Sequence, residues 1–242
     1  MTEVNEGRGM SAKRSKRYRE AMKQLEPGRS YGIEEALQIL GKMPKARFDE
    51  SVELSMHLGV DPKQGDQMVR GSLRLPHGSG KKVRIAVFAR GSAAEAAKGA
   101  GADFVGFEEL IKRVTEGFTD FDVAIATPDA MQEVRKLGRV LGPRGLMPNP
   151  RTGTVTEDVA GAVAECQAGR VEFKMDKSAN VHVVIGRRSF TAAALQDNAV
   201  QAMEAVQKAK PATAKGRYLE SLALSATVSP SIPLDAAAFQ RR

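Results

Sequence analysis

Two kinds of hydrophobic pattern follow one another along the chain. In residues 52–60 every second position is Val, Leu or Met, and the positions between them hold Glu, Ser, His and Gly. The same alternation returns over residues 171–175, 181–185 and 217–228. Strict alternation is typical of a strand with one buried face and one face in water. Together with a further strand over residues 68–75, two separated parts of the chain are therefore predicted to build an antiparallel sheet.

Between these parts the pattern changes to nearly continuous apolar runs. Residues 83–88 and 121–126 have the composition of strands that are covered on both faces. The other elements predicted there are helices over residues 92–100, 107–114 and 127–137 and a short strand over residues 103–105. Strand and helix alternate repeatedly, which predicts an open parallel α/β domain.

The order of these patterns predicts two domains, one of them discontinuous. Residues 1–76 and 170–242 would form a domain of strands covered by helices, and residues 77–169 an inserted α/β domain. The fold class is therefore α/β together with α+β. Three glycines at the two chain crossings are predicted hinge residues, namely Gly78, Gly80 and Gly169.

The remaining local predictions concern helices and one terminus. Helices are predicted over residues 19–25, 33–40, 156–166 and 191–209 from their apolar spacing and stop signals. Thr156 is the expected N-cap of the third. The first ten residues are predicted to be disordered, because they are polar and lie at the terminus.

The charge of the chain points to an anionic partner. Its 242 residues carry a formal net charge of +8, and 42% of them are hydrophobic, which is enough for substantial cores. A basic excess favours nucleic acid as the partner, although it also serves plain solubility. Only 5% of the residues are aromatic, so the cores must be built from Val, Ile, Leu and Ala.

No sequence feature indicates an enzyme, a metal centre or a membrane span. The segment GSGKK at residues 78–82 matches part of a phosphate-binding loop, but Leu75 replaces its first glycine and Lys82 its Ser or Thr. The dinucleotide glycine pattern is also missing. The three histidines lack metal-ligand spacing, and a lone Cys166 excludes a disulfide framework. Without a signal peptide or a membrane-length apolar run, a cytoplasmic protein is expected.

Residues 137–155 stand out by their composition. The segment, LGRVLGPRGLMPNPRTGTV, holds four glycines, three prolines, three arginines and no acidic residue. Its prolines prevent a regular helix or a central strand from running through it. A stiff loop would then present Arg139, Arg144 and Arg151, which suits phosphate. Simple solvation of these arginines is the alternative.

The polar side of the alternating strands carries side chains that suit RNA. Ordinary solvated sheet faces are usually richer in Lys and Glu. The predicted face holds Glu53, Ser55, His57, Arg170, Glu172, Lys174, His182, Ser221, Ser225 and Thr227. Short hydroxyls allow close backbone approach and can bond to a 2′-OH. Because no aromatic pair of the RNP1 type is present, the expected target is a folded RNA recognised by shape and backbone; a plain wet strand is the alternative.

Three long segments together carry a resemblance to a known family. They are the loop segment above, DQMVRGSLRLPHGSGKKVRI and AGRVEFKMDKSANVHVVIG. The chain resembles the ribosomal protein L1 family in its bacterial form, from about residue 16 to residue 235. The resemblance implies a discontinuous split β-α-β domain with an inserted Rossmann-like domain.

The same resemblance implies a function and its partners. A member of this family is not an enzyme. It binds large-subunit rRNA at the mobile stalk near the tRNA exit site, accompanies release of the exit-site tRNA, and commonly represses translation of its own operon mRNA. No cofactor and no stable homo-oligomer are expected.

The resemblance also assigns RNA contacts to individual residues. Arg47 and Phe48 begin the first strand, where the family has a basic residue and an RNA-contacting Phe. The expected contacts are Arg47, Phe48, Glu53, His57, Asp66, Gln67, Arg70, Arg170, Glu172, Phe173, Lys174, Asp176, Lys177, His182, Ser221, Ser225, Thr227, Val228 and Ser229. The arginines of the Gly/Pro-rich segment are assigned to a second RNA contact or to a contact between the domains.

Two departures from the family pattern bear on these contacts. Val228 and Ser229 stand where the family usually has Met-Gly, and Gln64 stands where relatives often have Arg. A serine in place of glycine can restrict a turn that presses its backbone against RNA. The detail of that contact is therefore open.

Two other functions are open at this point. The inserted domain suggests a nucleotide-using α/β enzyme, against which the missing glycine pattern counts. The net charge also fits a non-specific basic RNA-binding protein. Such a protein would bind any RNA alike, whereas a protein that recognises one folded site discriminates at fixed salt.

Overall fold

The computed structural model describes residues 14–214 and 216–236, apart from the side chain of Arg151. The segment predicted to be disordered lies outside these residues. The helices are α1 Lys16–Met22, α2 Ile33–Lys42, α3 Ser92–Gly99, α4 Glu108–Thr115, α5 Met131–Val134, α6 Gly138–Leu141, α7 Val159–Gln167 and α8 Ala192–Lys208. The strands are β1 Ser51–Leu58, β2 Arg70–Arg74, β3 Ile85–Phe88, β4 Phe104–Gly106, β5 Val123–Ala126, β6 Arg170–Lys174, β7 Asn180–Arg187, β8 Leu219–Ala226 and β9 Ile232–Leu234. They form a mixed α/β structure with three sheets.

The largest sheet has the strand order β7-β1-β8-β9 and is antiparallel throughout. Residues of β1 alternate between buried and half-exposed along the whole strand, as the sequence pattern predicts. Val52, Leu54, Met56 and Leu58 lie in the core, together with apolar residues of α2 and α8. Because the helices cover this side, the opposite face is left to the polar side chains.

The hydrophobic pattern does not predict β9. The strand expected over residues 217–228 ends at Ala226, and the chain turns back to form β9. Pro233 in its middle is tolerated because β9 lies at the edge of the sheet. Two backbone bonds cover its outer side, from Tyr31 N to Pro233 O at 2.9 Å and from Asp235 N to Tyr31 O at 3.0 Å.

A separate, two-stranded antiparallel sheet is formed by β2 and β6. The expectation of a single polar face is therefore wrong for β6, whose polar residues lie on the smaller sheet and not beside His182. The two sheets meet where Met175, after β6, bridges to Val181 in β7. Alternation fixes which way a side chain points, but not the strand with which its own strand pairs.

The third sheet is parallel, with the order β4-β3-β5. β3 is buried along its whole length. Ala86 and Phe88 join one hydrophobic cluster with α4, α5 and α6, and Ile85 and Val87 join another with α3 and α7. Helices thus cover both faces of β3, as its continuous apolar run predicts.

Three predicted helices have clearly different boundaries in the structure, and the first of them, expected over residues 19–25, is α1 at Lys16–Met22. The helix expected over residues 127–137 begins with α5, and helical turns continue through α6 to Leu141 before Pro143. One helical turn therefore lies inside the segment predicted to be a loop. The N-cap of α7 is Asp158 rather than Thr156, because the Asp158 carboxylate accepts a bond at 2.9 Å from the backbone N–H three residues on.

The two chain crossings that contain the predicted hinge glycines lie side by side. Gly169 has a φ of 96°, and a Cβ placed there would lie 2.5 Å from the Cα of Gly78. Gly80, two residues after Gly78, also has a positive φ, of 69°. The buried amide of Asn198, on α8, accepts a bond from His77 N at 3.1 Å and donates one to Gly78 O at 3.0 Å. Asn198 therefore connects the first chain crossing, at residues 77–78, to α8 through two hydrogen bonds.

Candidate nucleic-acid interface

The outer face of the four-stranded sheet brings predicted RNA contacts together. These side chains are exposed or half-exposed, because they occupy the positions that alternate with core residues. The cross-strand pairs are Ser55–His182, His57–Ser221 and Glu53–Ser225. Three neighbouring strands thus supply one continuous surface of hydroxyls, imidazoles and carboxylates.

Both imidazoles on this face are held by neighbours. His182 Nδ1 lies 3.0 Å from Ser55 Oγ and 3.5 Å from Glu53 Oε1. His57 Nδ1 lies 2.8 Å from Asn180 Oδ1. Such bonds fix the orientation of each ring. The surface is a fixed array of donors and acceptors rather than a bare cationic patch.

One end of this sheet displays an exposed aromatic ring beside a turn. Phe48 precedes β1, and 55% of its surface is exposed, which is unusual for a residue of this size. Arg47 beside it is also exposed. The turn after β8 lies at the same end, because Thr227 N donates to Ser51 O at 3.1 Å. The structure thus brings two groups of predicted contacts, Arg47 with Phe48 and the turn at Thr227, to one edge of the face.

Thr227 lies in this turn rather than on the last strand. Its hydroxyl accepts a bond from Ser51 N at 3.1 Å and so closes the pairing of β1 with β8. Ser229 accommodates the position where the family has glycine: its hydroxyl accepts from Ala226 N at 2.8 Å. Among the described residues other than glycine, Ala179 alone has a positive φ. Ser229 therefore needs no strained backbone, and Val228 between the two is half-buried.

A buried ion pair lies beneath this end of the sheet, and the sequence patterns do not predict it. Arg188 and Glu50 approach to 3.0 Å with side-chain exposures of 6% and 1%. The Glu50 carboxylate also accepts bonds from Ala46 N at 2.7 Å and Val228 N at 3.3 Å. Breaking such a pair leaves an uncompensated buried charge, which costs about 3–5 kcal/mol.

The opposite end of the sheet forms a shallow depression. Its lining includes His57, Asp66, Gln67 and Glu220, so three predicted contacts lie together here. The Gln67 amide accepts from Asp61 N at 2.8 Å and orders the loop after β1. His57 Nε2 lies 3.5 Å from the Glu220 carboxylate.

The turn between β6 and β7 is ordered by an aspartate. Asp176 Oδ1 accepts bonds from Ser178 N and Asn180 N, both at 2.8 Å. The bond from Asn180 N is the largest cause that lowers the pKa of Asp176 below its ordinary value. Lys177 is exposed on this turn. Asp176 therefore has a structural task, and Lys177 is open to solvent.

The two-stranded sheet uses its predicted contacts differently. Arg170 donates to Ser72 Oγ at 3.1 Å, to the carbonyl oxygen of Thr152 and to Glu165 Oε2 at 2.5 Å. Its side chain is only 16% exposed. One guanidinium thus joins β2, the Gly/Pro-rich segment and α7. Most of its donors are already engaged within the protein.

Phe173 is a correction to the predicted contacts. Its side chain is 3% exposed and belongs to the core. A Cβ added at Gly71 would lie 2.8 Å from its ring, so the ring fills the space that this glycine leaves on β2. The side chain of Phe173 is therefore not available to RNA, because its period-two position faces inwards.

Arg70, Glu172 and Lys174 line a crevice between this sheet and the Gly/Pro-rich segment. Burial raises the pKa of Glu172 above its ordinary value, opposed by a hydrogen bond from Thr152 and by the charge of Arg170. Glu172 as a whole residue is nevertheless exposed to solvent. The Nε atom of Arg70 is buried and has no hydrogen-bond partner among the described residues.

The Gly/Pro-rich segment contacts the two-stranded sheet through Thr152. Thr152 and Thr154 are buried, and Thr154 Oγ1 accepts a bond from Asn149 N at 2.8 Å. Arg139 and Arg144 are exposed, and Arg144 donates to Thr119 Oγ1. The side chain of Arg151 lies outside the description. Among the described side chains of this segment, Thr152 bonds to the two-stranded sheet, and no bond to that sheet is described for Arg139 or Arg144.

The described part of the chain offers neither a metal site of acidic, His or Cys residues nor a membrane-spanning helix. No group of three or more His, Cys, Asp or Glu residues there could hold a metal ion. No described helix combines the length and the apolar character needed to cross a membrane.

Comparison with known proteins decides the family. A model described as the ribosomal protein L1p/L10e family matches residues 40–230. The large ribosomal subunit protein uL1 of Kosmotoga olearia is 54% identical over 223 residues, covering 92% of this chain and 96% of the relative. The chain belongs to the ribosomal protein L1 family. This confirms the resemblance carried by the three sequence segments.

Other relatives agree with this assignment. The uL1 protein of Leifsonia xyli subsp. xyli is 53% identical over 93% of this chain and 98% of the relative. That of Thermobifida fusca is 49% identical over 92% of this chain and 95% of the relative. The L1 family consists of ribosomal proteins and not of enzymes, so the prediction that the chain is not an enzyme is confirmed by its membership.

Proposed function

We propose that the chain is a structural constituent of the large ribosomal subunit that binds 23S-type rRNA at the mobile stalk near the tRNA exit site. The RNA surface is the outer face of the four-stranded sheet together with its Phe48 edge. The protein assists release of deacylated exit-site tRNA and represses translation of its own operon mRNA, as its family resemblance implies. It acts in the cytoplasm, associated with the ribosome.

One observation carries the proposal: an exposed phenylalanine beside an ordered array of polar side chains. Folding leaves 55% of Phe48 exposed to solvent, so a large part of its apolar surface stays uncovered. Exposed aromatic rings are suited to stacking on RNA bases or sugars. The hydroxyls and imidazoles of the face lie within three adjacent strands and can bond to sugars and phosphates.

The domain division belongs to the same proposal. One hydrophobic cluster draws its residues from both ends of the chain, and two others come from residues 85–166. We assign residues 1–76 and 170–242 to a split β-α-β RNA-binding domain and residues 77–169 to a Rossmann-like insert. Gly78, Gly80 and Gly169 are its hinge, and Arg139, Arg144 and Arg151 supply a second RNA contact or a contact between the domains.

Exchange of Phe48 for alanine tests the proposed surface. Phe48→Ala removes an exposed ring, so stability stays near that of the wild type, while affinity for a stalk rRNA fragment falls by about tenfold or more. Met22→Ala is the matched control, because Met22 is 45% exposed and lies away from the sheet face on α1. Binding is measured at two salt concentrations, with an unrelated hairpin as the second RNA.

The two RNAs separate the proposal from non-specific binding. A specific site predicts that Phe48→Ala weakens only the stalk fragment and leaves the salt dependence unchanged, because no cation–phosphate contact is removed. Equal binding of both RNAs by the wild type, falling together as salt rises, would instead establish a non-specific basic RNA-binding protein.

A further inference from the structure

The strongest feature outside the proposed contacts is the Glu50–Arg188 pair. It lies beneath the end of the sheet where Phe48 and Thr227 are exposed. Both charged side chains are buried, so neither can contact RNA directly. We propose that Glu50 is the positioning residue of the RNA surface, held in place by Arg188. The inference rests on the proposed function and assigns a cause to the shape of its site.

The Glu50 carboxylate fixes the segment that carries Phe48. Its Oε1 atom accepts a bond from Ala46 N at 2.7 Å, so Arg47 and Phe48 lie in a loop closed at both ends by one side chain. The end of this loop is held a second time, because Arg188 N donates to the backbone carbonyl of Glu50 at 2.8 Å. Such a closed loop has fewer conformations, which lowers the entropy lost when its exposed ring binds.

The same carboxylate fixes the turn after β8. Its Oε2 atom accepts a bond from Val228 N at 3.3 Å, the residue directly after Thr227. The two oxygens therefore connect the loop before β1 with the turn after β8, although Val228 lies 178 residues after Glu50 in the sequence. Both segments carry predicted RNA contacts, and their spacing is set by one carboxylate.

Arg188 extends the frame to α2. Its guanidinium donates to Leu40 O at 2.6 Å, to Pro44 O at 3.3 Å and to the carbonyl of Met43, besides Glu50. These carbonyls lie in the last turn of α2 and directly after it. The Phe48 loop is thus tied to a helix of the core. A planar fork is required, because a lysine ammonium cannot reach these acceptors together.

A double-mutant cycle distinguishes positioning from plain stabilisation. Glu50→Gln is expected to weaken binding of the stalk rRNA fragment by about tenfold with an unchanged salt slope, measured where circular dichroism shows a folded variant. If Glu50 acts through Phe48, Glu50→Gln weakens binding much less in a Phe48→Ala background than in the wild type. Full additivity of the two changes overturns the positioning of Phe48 by Glu50.

Matched variants control for stability and for folding. Val206→Ala removes buried volume from the same core, on α8 and away from the Phe48 edge; once folded, it should bind as the wild type does. Should Glu50→Gln not fold, Arg188→Lys replaces it in the cycle, since it retains the buried charge and loses the fork. Unaltered affinity of the folded variant overturns the positioning role.

The outcomes also separate this inference from the proposed function. If Phe48→Ala alone leaves binding of the stalk fragment unchanged, the proposed surface fails. If Phe48→Ala weakens binding while Glu50→Gln and Arg188→Lys do not, the surface stands and the positioning role of Glu50 fails.

Discussion

The four-stranded and the two-stranded sheet carry the same kinds of polar residue and use them differently. On the larger sheet, His57 and His182 bond to cross-strand neighbours and remain partly open to solvent. On the smaller sheet, Arg170 is largely covered and makes bonds to three other segments. The first sheet therefore presents a surface, whereas the second connects parts of the chain.

The difference comes from what lies over each polar face. Thr152 of the Gly/Pro-rich segment bonds to Arg170 and Glu172, so protein covers part of this outward face, while Glu172 and Lys174 remain exposed. Over His57 and His182 the structure places no such segment within the described residues. A wet face in the sequence pattern is thus a necessary condition for an RNA surface but not a sufficient one.

Gly169→Ala tests the closure of the smaller sheet and has the largest expected effect. Gly169 precedes β6, its carbonyl accepts from Leu75 N at 3.2 Å, and a Cβ there would lie 2.5 Å from the Cα of Gly78. Alanine adds both backbone strain at a φ of 96° and this collision, so we expect a loss of about 2–4 kcal/mol in the free energy of unfolding. Urea denaturation measures it.

Gly117→Ala is the control for backbone strain alone. Its φ is 103°, but nothing lies within 4 Å of the added Cβ, so a loss of about 1 kcal/mol is expected. Equal losses in the two variants would show that the close approach to Gly78 contributes nothing.

Arg170→Ala tests whether Arg170 connects segments of the protein or contacts RNA. Its effect on stability should be intermediate. The change leaves the Thr152 carbonyl without its described donor, which costs about 1–3 kcal/mol of unfolding free energy. Affinity for stalk rRNA should fall less than in Phe48→Ala. Arg74→Ala is the control, since Arg74 lies directly opposite Arg170 in the register and is exposed. A larger loss of affinity than of stability would place Arg170 in the RNA surface.

Glu172→Gln tests the partial covering of the two-stranded sheet, and its expected effect on stability is the smallest. A carboxyl with a raised pKa holds its proton more tightly in the folded state, so stability rises as the pH falls through that raised value towards the ordinary 4.5. Glutamine removes this dependence and should slightly stabilise the protein at pH 7. Urea midpoints at pH 7 and near pH 4.5 measure it, with Glu204→Gln on the exposed side of α8 as control. If the wild type instead lost stability relative to the glutamine variant as the pH fell from 7 to about 4.5, the raised pKa of Glu172 would be contradicted.

Alternation made the face of the larger sheet predictable. The period of β1 alone places Glu53, Ser55 and His57 on one side, and the repeated pattern of β7 adds His182. The parallel sheet was equally predictable, because strands buried on both sides have no polar positions. In both cases the information lies within a single short segment.

The residues that escaped prediction depend on distant segments. Glu50 stands just before a strand and looks like a surface charge, and its burial requires Arg188 and the turn at Val228. The pairing of β6 with β2 depends on the partner strand, which alternation does not specify. Phe173 belongs to the period of its own strand, and its inward position was visible in the pattern even though the family resemblance assigned it to RNA.

The covered edge at β9 has a consequence for the free protein. An open sheet edge is a row of unused donors and acceptors to which another strand can add. Here Pro233 lacks an N–H, and its own carbonyl oxygen already accepts a bond from Tyr31 N. Edge-to-edge addition at β9 is thereby blocked without a charged side chain. The polar outer face of the sheet can therefore stay uncovered while the edge at β9 resists the addition of another strand.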